Sequence, residues 1–203
     1  MWAHDDRMSA ALKPTLDDYL ATEADSPVKR EFVGGDIYAM GGARPRHNVV
    51  TTRLTSLVDT ALQGRPCMTF SADQRVTVDA TGGYFYPDLT VTCEPPRFVL
   101  PAPDALTNPT VLFEVLSPST ASWDRGGKFA HYQRCPSLRA YVLVDPDLRR
   151  LECYTRAEPP ASGWHYHSAE GDTPLSLDTL GLTLVPTTLF AVLDALPPET
   201  EGG

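Results

Sequence analysis

Two carboxylates in this chain stand where burial makes them costly. Asp88 follows Pro87 in Tyr84-Phe-Tyr-Pro-Asp-Leu-Thr-Val91, and Glu114 sits inside Val111-Leu-Phe-Glu-Val-Leu-Ser-Pro-Ser-Thr120; each is an isolated acid on a largely apolar run. Burying a lone ionised carboxylate costs several kcal/mol unless it is paired or holds a metal. Two such acids in one sheet are most economically explained by a shared cation. The alternative is that each faces solvent from a half-exposed strand or accepts hydrogen bonds from the N-terminus of the helix after it.

Downstream of Glu114, Asp124, Lys128 and then His131 or Tyr132 recur at three- to four-residue spacing, which is one face of a helix. If the short Ser-Pro-Ser-Thr connection folds that helix back over the strand, Lys128 reaches the strand end that carries Glu114. Otherwise Asp124 and Lys128 form an ordinary surface pair worth a few tenths of a kcal/mol. His47, after Arg44-Pro-Arg46, is a candidate either to contact a phosphate or to cap its helix, and Arg46 and Arg125 are further candidates for phosphate contacts. Other chemistries find less support. His165 and His167 alternate on one strand face without a third ligand nearby, and Ser117 and Ser119 lack the Gly-x-Ser-x-Gly elbow of serine hydrolases. The pairs Gly34-Gly35, Gly41-Gly42 and Gly82-Gly83 suit turns, not a phosphate-cradling loop.

The elements that must position these residues follow from local pattern. Thr15-Leu-Asp-Asp18 has the form of a capping box and starts a short helix. Gly34-Gly35 between two strand-like runs marks a tight hairpin. Val50, Leu54, Leu57, Val58, Ala61 and Leu62 recur at helical spacing, closed by Gly64 with Pro66 beyond. Strands are expected over 67–70, 74–79 and 84–93, with Gly82-Gly83 as the turn between the last two. A proline-rich loop from Glu94 to Pro109 can be neither helix nor central strand. The strand Val111–Leu116 precedes a helix from about Trp123 to Arg134, capped by Ser119 or Thr120 and weakened by Gly126 and Gly127 by about 1 kcal/mol each. Strands at 140–144 and 151–155, an edge strand at 164–167 and a short helix at 187–195 complete a mixed α/β arrangement, one central sheet flanked by helices.

With 203 residues, of which 42% are hydrophobic, the chain is expected to form a single domain over 1–203, its ordered core about 14–196 and its polar tail 197–203. No long apolar segment and no signal-peptide pattern is present, so a cytosolic protein is expected. Cys67, Cys93, Cys135 and Cys153 match no paired Cys-x-x-Cys spacing and read as free buried thiols. The net charge of −9 argues against non-specific coating of nucleic acid. Its distribution is uneven: residues 28–65 carry six bases against three acids and residues 119–156 seven against four, so these segments hold +6 and the remainder −15.

Taken in order, Pro87-Asp88, Glu114-Val-Leu-Ser-Pro-Ser-Thr120, Asp124-Arg-Gly-Gly-Lys128, Tyr132 and Pro136-Ser-Leu-Arg-Ala-Tyr-Val-Leu-Val-Asp145 resemble the Uma-two family of bacterial restriction endonucleases, within the PD-(D/E)XK nuclease superfamily. Glu31-Phe-Val-Gly-Gly-Asp-Ile-Tyr-Ala-Met40 resembles the family's early acid-plus-hairpin segment, and His47 fits its histidine. The likeness spans roughly Thr15 to Leu193.

That resemblance implies a restriction-endonuclease-like α/β core and a metal-dependent endonuclease leaving 5′-phosphate and 3′-hydroxyl ends on DNA. Asp88 and Glu114 would be carboxylate ligands of Mg²⁺ or Mn²⁺, with the Val115 carbonyl as a third oxygen and Glu31 as an additional catalytic acid. The superfamily's lysine normally stands two residues after the Glu, where this chain has Leu116; the matching lysine is Lys128 in the next helix. DNA is the implied substrate, a homodimer the expected assembly, and a membrane role is not expected. The rival reading is a nuclease-fold protein that binds nucleic acid or a protein partner without cutting.

Overall fold

A computed structural model of the chain describes residues 13–23, 25–78, 83–99 and 105–197. The expected polar tail beyond residue 197 and the first glycine of the Gly82-Gly83 turn lie outside the described residues.

Local signals act as their chemistry requires at the N-terminal end. Asp18 Oδ2 accepts hydrogen bonds from the Thr15 amide at 2.9 Å and hydroxyl at 2.7 Å, and the Asp18 amide donates back to Thr15 Oγ1 at 3.2 Å, completing the capping box. Helix α1 (Leu16–Glu23) leads to a hairpin of β1 (Arg30–Val33) and β2 (Asp36–Ala39), whose turn places Gly34 and Gly35 at φ of 58° and 89°. Helix α2 (Pro45–Leu62) starts with Pro in its first turn and buries Val50, Leu54, Val58 and Leu62.

Four strands follow: β3 (Met68–Ser71), β4 (Val76–Thr77), β5 (Tyr84–Phe85) and β6 (Leu89–Thr92). The single strand expected over 84–93 is broken at Tyr86-Pro-Asp88, because Pro87 has no amide to give a ladder. The break is where the chain leaves one sheet for another. The proline-rich segment contributes two short strands, β7 (Phe98–Val99) and β8 (Ala105–Leu106), before β9 (Val111–Val115).

The helical stretch after β9 has three parts: α3 (Ala121–Trp123), a π-helical turn over Asp124–Lys128, and α4 (Phe129–Tyr132). Thr120 holds the N-cap position but makes no side-chain cap bond. Then come β10 (Ala140–Asp145), β11 (Arg150–Arg156), β12 (Trp164–Glu170), a hairpin of β13 (Leu175–Leu177) and β14 (Leu182–Leu184), α5 (Pro186–Phe190) and a 3₁₀ turn (Ala191–Ala195).

In place of one central sheet the described residues form two six-stranded sheets, beside the small β13–β14 hairpin sheet. Among the described residues one six-stranded sheet has the order β12-β11-β10-β9-β6-β3 and the other β2-β1-β5-β4-β8-β7. In the first, β9 and β10 are parallel and every residue of both is buried, so successive side chains enter opposite cores. Val111, Phe113, Val115, Val142 and Val144 pack with Val50, Leu54, Val58 and Leu189 on the α2 side. Leu112, Leu116, Tyr141 and Leu143 pack with Phe85, Phe129 and Tyr132 on the other. Period-two alternation puts Glu114 on this second face, under the π-helical turn.

Two of the four cysteines depart from expectation. Cys67 and Cys93 form a disulfide that joins the start of β3 to the end of β6, where the strand register Met68↔Thr92 makes them cross-strand neighbours. Cys135 and Cys153 are free and buried. No helix among the described residues is long and apolar enough to cross a membrane.

Candidate active site

Glu114 and Lys128 meet because the chain doubles back. The Ser117-Pro-Ser-Thr120 turn reverses direction after β9, and the π-helical turn then carries Lys128 over the strand. Its Nζ lies 3.1 Å from Glu114 Oε1, 3.0 Å from Glu31 Oε1 and 3.5 Å from Asp124 Oδ1. Lys128 and Asp124 are only 4% and 2% exposed, so the surface-pair alternative is excluded. π-helical turns recur at functional sites because the extra residue per turn re-aims side chains. Here the geometry needs Gly127: a Cβ there would sit 1.8 Å from the Trp123 ring.

Glu31 comes from the opposite sheet, on β1. Its Oε1 also accepts the Tyr86 amide at 3.1 Å, at the break between β5 and β6. Tyr132, one helical turn past Lys128, donates its hydroxyl to Glu114 Oε1 at 2.9 Å. Leu116, in the superfamily's usual lysine place, is packed in the apolar core at 5% exposure.

Asp88 stands at the mouth of β6. β6 begins at Leu89, opposite Phe113 of β9, so Asp88 stands just ahead of that pairing, close enough for its charge to act on Glu114. Asp88 Oδ2 accepts the Val115 amide at 2.7 Å and faces His47 Nε2 at 3.3 Å. Asp88 and Glu114 are thus brought to the same end of the paired strands β6 and β9.

The electrostatics are those of an acid-rich, water-poor centre. Burial, only partly offset by Lys128, pushes Glu114 well above the usual carboxylate range, and neighbouring Asp124, Asp88 and Glu31 push it further. Asp124 is raised for the same leading reason, and its Oδ1 is buried without a hydrogen-bond partner. Burial works against the charged form of Lys128, but Glu114, Glu31 and Asp124 outweigh it and hold the lysine above its ordinary value. For His47, too, burial opposes the charge and Asp88 and the main chain of Val115 restore it, with a net upward shift.

Four acids, Glu31, Asp88, Glu114 and Asp124, therefore crowd around one lysine and one histidine. Among the described residues no three His, Cys, Asp or Glu side chains are already gathered as a finished metal cage. The excess of anionic oxygens over the one ammonium that pairs with them is the feature that suits a hard divalent cation.

Other candidates are placed elsewhere. Arg125 does not reach toward this centre as a free phosphate contact: its guanidinium is bound to Asp145 at 2.9 Å and Glu152 at 2.6 Å. Two carboxylates neutralise it. Arg46 donates to the Pro146 carbonyl at 2.9 Å and lies 3.5 Å from Asp147. His47 does not cap α2, whose N-cap is Arg44. His165 and His167 lie on β12, opposite Thr155 and Cys153. Asp124 and Tyr132 belong to the cluster although spacing left them as helix-face companions; the signal that could have found them is their shared stripe with Lys128.

Comparison with known proteins agrees with this architecture. The family model Uma2, described as "Putative restriction endonuclease", matches residues 16–188. Two relatives from Synechocystis sp. are similar over most of their length. "Uncharacterized protein slr1290" is 32% identical over 88% of this chain and 92% of its own, and "Uncharacterized protein sll1609" is 36% identical over 70% of this chain and 80% of its own. Among solved structures, a "putative nuclease belonging to DUF820" from Anabaena variabilis superposes with a TM-score of 0.69 at 19% identity, covering 89% of this chain and 99% of that one. At that identity the likeness is one of fold.

Proposed function

The chain belongs to the Uma2 family, "Putative restriction endonuclease", and on that footing we propose that it is a metal-dependent endonuclease that hydrolyses DNA phosphodiester bonds. The observation that carries this reading is the buried Lys128 ammonium held by Glu31 and Glu114, with Asp88 close enough for its charge to act on Glu114. A purely structural ion pair needs one acid, and Lys128 has three within 3.5 Å.

Asp88, Glu114 and the Val115 carbonyl would hold the ion, Mg²⁺ or Mn²⁺. When bound, such a cation polarises a phosphoryl oxygen and acidifies a water. Lys128 positions the attacking water and offsets the negative charge that develops at phosphorus. Glu31 and Tyr132 keep Lys128 and Glu114 in place, so little reorganisation is needed when charge builds up. In the balanced step, water forms a new bond to phosphorus, the bond to the 3′ oxygen breaks, and a proton passes to that oxygen. The products are 5′-phosphate and 3′-hydroxyl ends. Cutting both strands calls for two such centres, hence a homodimer, and DNA as substrate suits a cytoplasmic location.

The test is cleavage of plasmid and oligonucleotide DNA with Mg²⁺ or Mn²⁺, comparing wild type with Asp88→Asn and Lys128→Met. Cleavage by wild type alone supports the reading. Equal inertness of all three across divalent metals and substrates points instead to a nuclease-fold protein that binds without cutting, a reading the net charge of −9 mildly favours.

A further inference from the structure

We infer that Glu23 and Tyr86 form a positioning pair for the candidate active site: Glu23, a buried acid that takes no part in the proposed hydrolysis, sets through Tyr86 where Glu31 stands against Lys128 and where the chain enters Asp88. The inference rests on the endonuclease reading and adds to it two residues that act through Glu31 and not on the substrate.

Glu23 stands where neither helix electrostatics nor burial favours an acid. It is the last residue of α1, the end at which the helix dipole disfavours negative charge, and it is only 7% exposed. Its oxygens are nevertheless fully used. Oε1 accepts the Arg30 amide at 3.1 Å and the Tyr86 hydroxyl at 3.0 Å, and Oε2 accepts Arg30 Nε at 2.9 Å.

Each of those donors belongs to a residue beside the site. Arg30 immediately precedes Glu31 on β1, and Tyr86 precedes Pro87-Asp88 at the break between β5 and β6. Because Pro87 has no amide, the Tyr86 amide is the last main-chain donor before Asp88. It goes to Glu31 Oε1 at 3.1 Å, the same oxygen that faces Lys128 Nζ at 3.0 Å. Tyr86 is thus tied at both ends, hydroxyl to Glu23 and amide to Glu31, and a continuous polar path runs from Glu23 through Tyr86 and Glu31 to Lys128. The ring between those ends is held by cations, with the Arg75 guanidinium 5.9 Å and Lys29 Nζ 5.8 Å from its centroid.

The alternative is that Glu23 only staples α1 to β1. The Arg30 bonds suffice for that, and Tyr19 of the same helix already adds to them by donating its hydroxyl to the Arg30 carbonyl at 2.7 Å. A staple does not need the Tyr86 hydroxyl, 63 residues away on the segment by which the chain passes from the second sheet to the first. Partners that orient the groups of a reactive centre from behind are worth about 10- to 100-fold in activity.

The experiment compares wild type with Tyr86→Phe, which removes one hydroxyl and keeps the ring and the amide, with Glu23→Gln, and with the double variant. Circular dichroism checks folding. NMR follows two signals that do not depend on cleavage: solvent exchange of the residue-86 amide, referred to the amides of β10, and the ¹⁵N resonance of the Lys128 ammonium, assigned by its loss in Lys128→Met. Both single variants should exchange the residue-86 amide faster and shift the Lys128 resonance, with β10 unchanged. Their kcat on plasmid DNA with Mg²⁺ should fall about 10- to 100-fold with KM little altered. The double variant should be no slower than the slower single one, because the two residues act as a unit. An unmoved residue-86 amide and Lys128 resonance in the folded variants, unchanged kcat, or losses that simply add in the double variant overturn the inference. A wild type that does not cut sinks the endonuclease reading, and the NMR signals then decide the pair alone: shifted, it holds the Lys128 cluster in place; unshifted, it falls as well.

Discussion

Lys128 Nζ lies 3.1 Å from Glu114 Oε1, fourteen residues apart in sequence, in surroundings where both side chains are more than nine-tenths buried. The pair is the hinge of the site: one partner comes from a strand of the first sheet, the other from a π-helical turn packed over it. A charge so placed cannot be removed without leaving its partner in low dielectric.

Lys128→Met should accordingly cost about 3–5 kcal/mol of folding stability near neutral pH. The loss should be pH-dependent. In the folded variant Glu114 keeps a raised pKa, through burial and without the lysine to oppose it, so the unfolded chain gives up its proton first as pH rises. The group's contribution is then favourable below the ordinary carboxylate value of 4.5 and is lost progressively above it. Urea denaturation in the presence of a chelator should show the deficit shrinking as the solution is acidified from about pH 8 toward that value. A deficit independent of pH would show that Glu114 is not the uncompensated charge.

Asp88→Asn should separate function from stability. The amide oxygen can still accept the Val115 amide that Asp88 Oδ2 holds at 2.7 Å, so stability should change by no more than about 1 kcal/mol. Divalent binding and cleavage should fall at least about 100-fold. Parallel thermal melts and calorimetric titrations check this, and a large drop in melting temperature would contradict it.

Two adjacent glycines should respond in opposite senses. A Cβ at Gly126 meets nothing within 4 Å, whereas at Gly127 it would strike the Trp123 ring at 1.8 Å. Gly126→Ala should therefore be neutral or stabilising by up to about 1 kcal/mol. Gly127→Ala should cost at least about 1–3 kcal/mol and displace Lys128, lowering cleavage. Melting curves and rates for the two variants, measured together, decide the point.

The disulfide can be counted chemically. Alkylation under denaturing conditions without reductant should modify only Cys135 and Cys153, and prior reduction should add Cys67 and Cys93. Mass spectrometry reads the difference directly. Reduction should also lower stability by about 2–4 kcal/mol.

What the sequence determined by itself is what neighbouring residues can settle. The Thr15–Asp18 capping box and the Gly34-Gly35 hairpin depend on φ preferences and hydrogen bonds within a few residues, and they form where those signals stand. The anomaly of Glu114 was legible for the same reason: its apolar neighbours on a short run leave an acid no cheap place to go. Motif order along the chain pointed to the family.

Tertiary structure decided whom each charged group meets. Glu31 reaches Lys128 only because β1, in the second sheet, faces the π-helical turn packed over β9, and Pro87 makes that second sheet by breaking the strand expected over 84–93. Arg125 looked free beside Lys128 in sequence, yet Asp145 and Glu152 on β10 and β11 claim it. Cys67 and Cys93 became partners because β3 and β6 align them. Such contacts depend on strand order and packing between distant segments, and local composition carries no record of either.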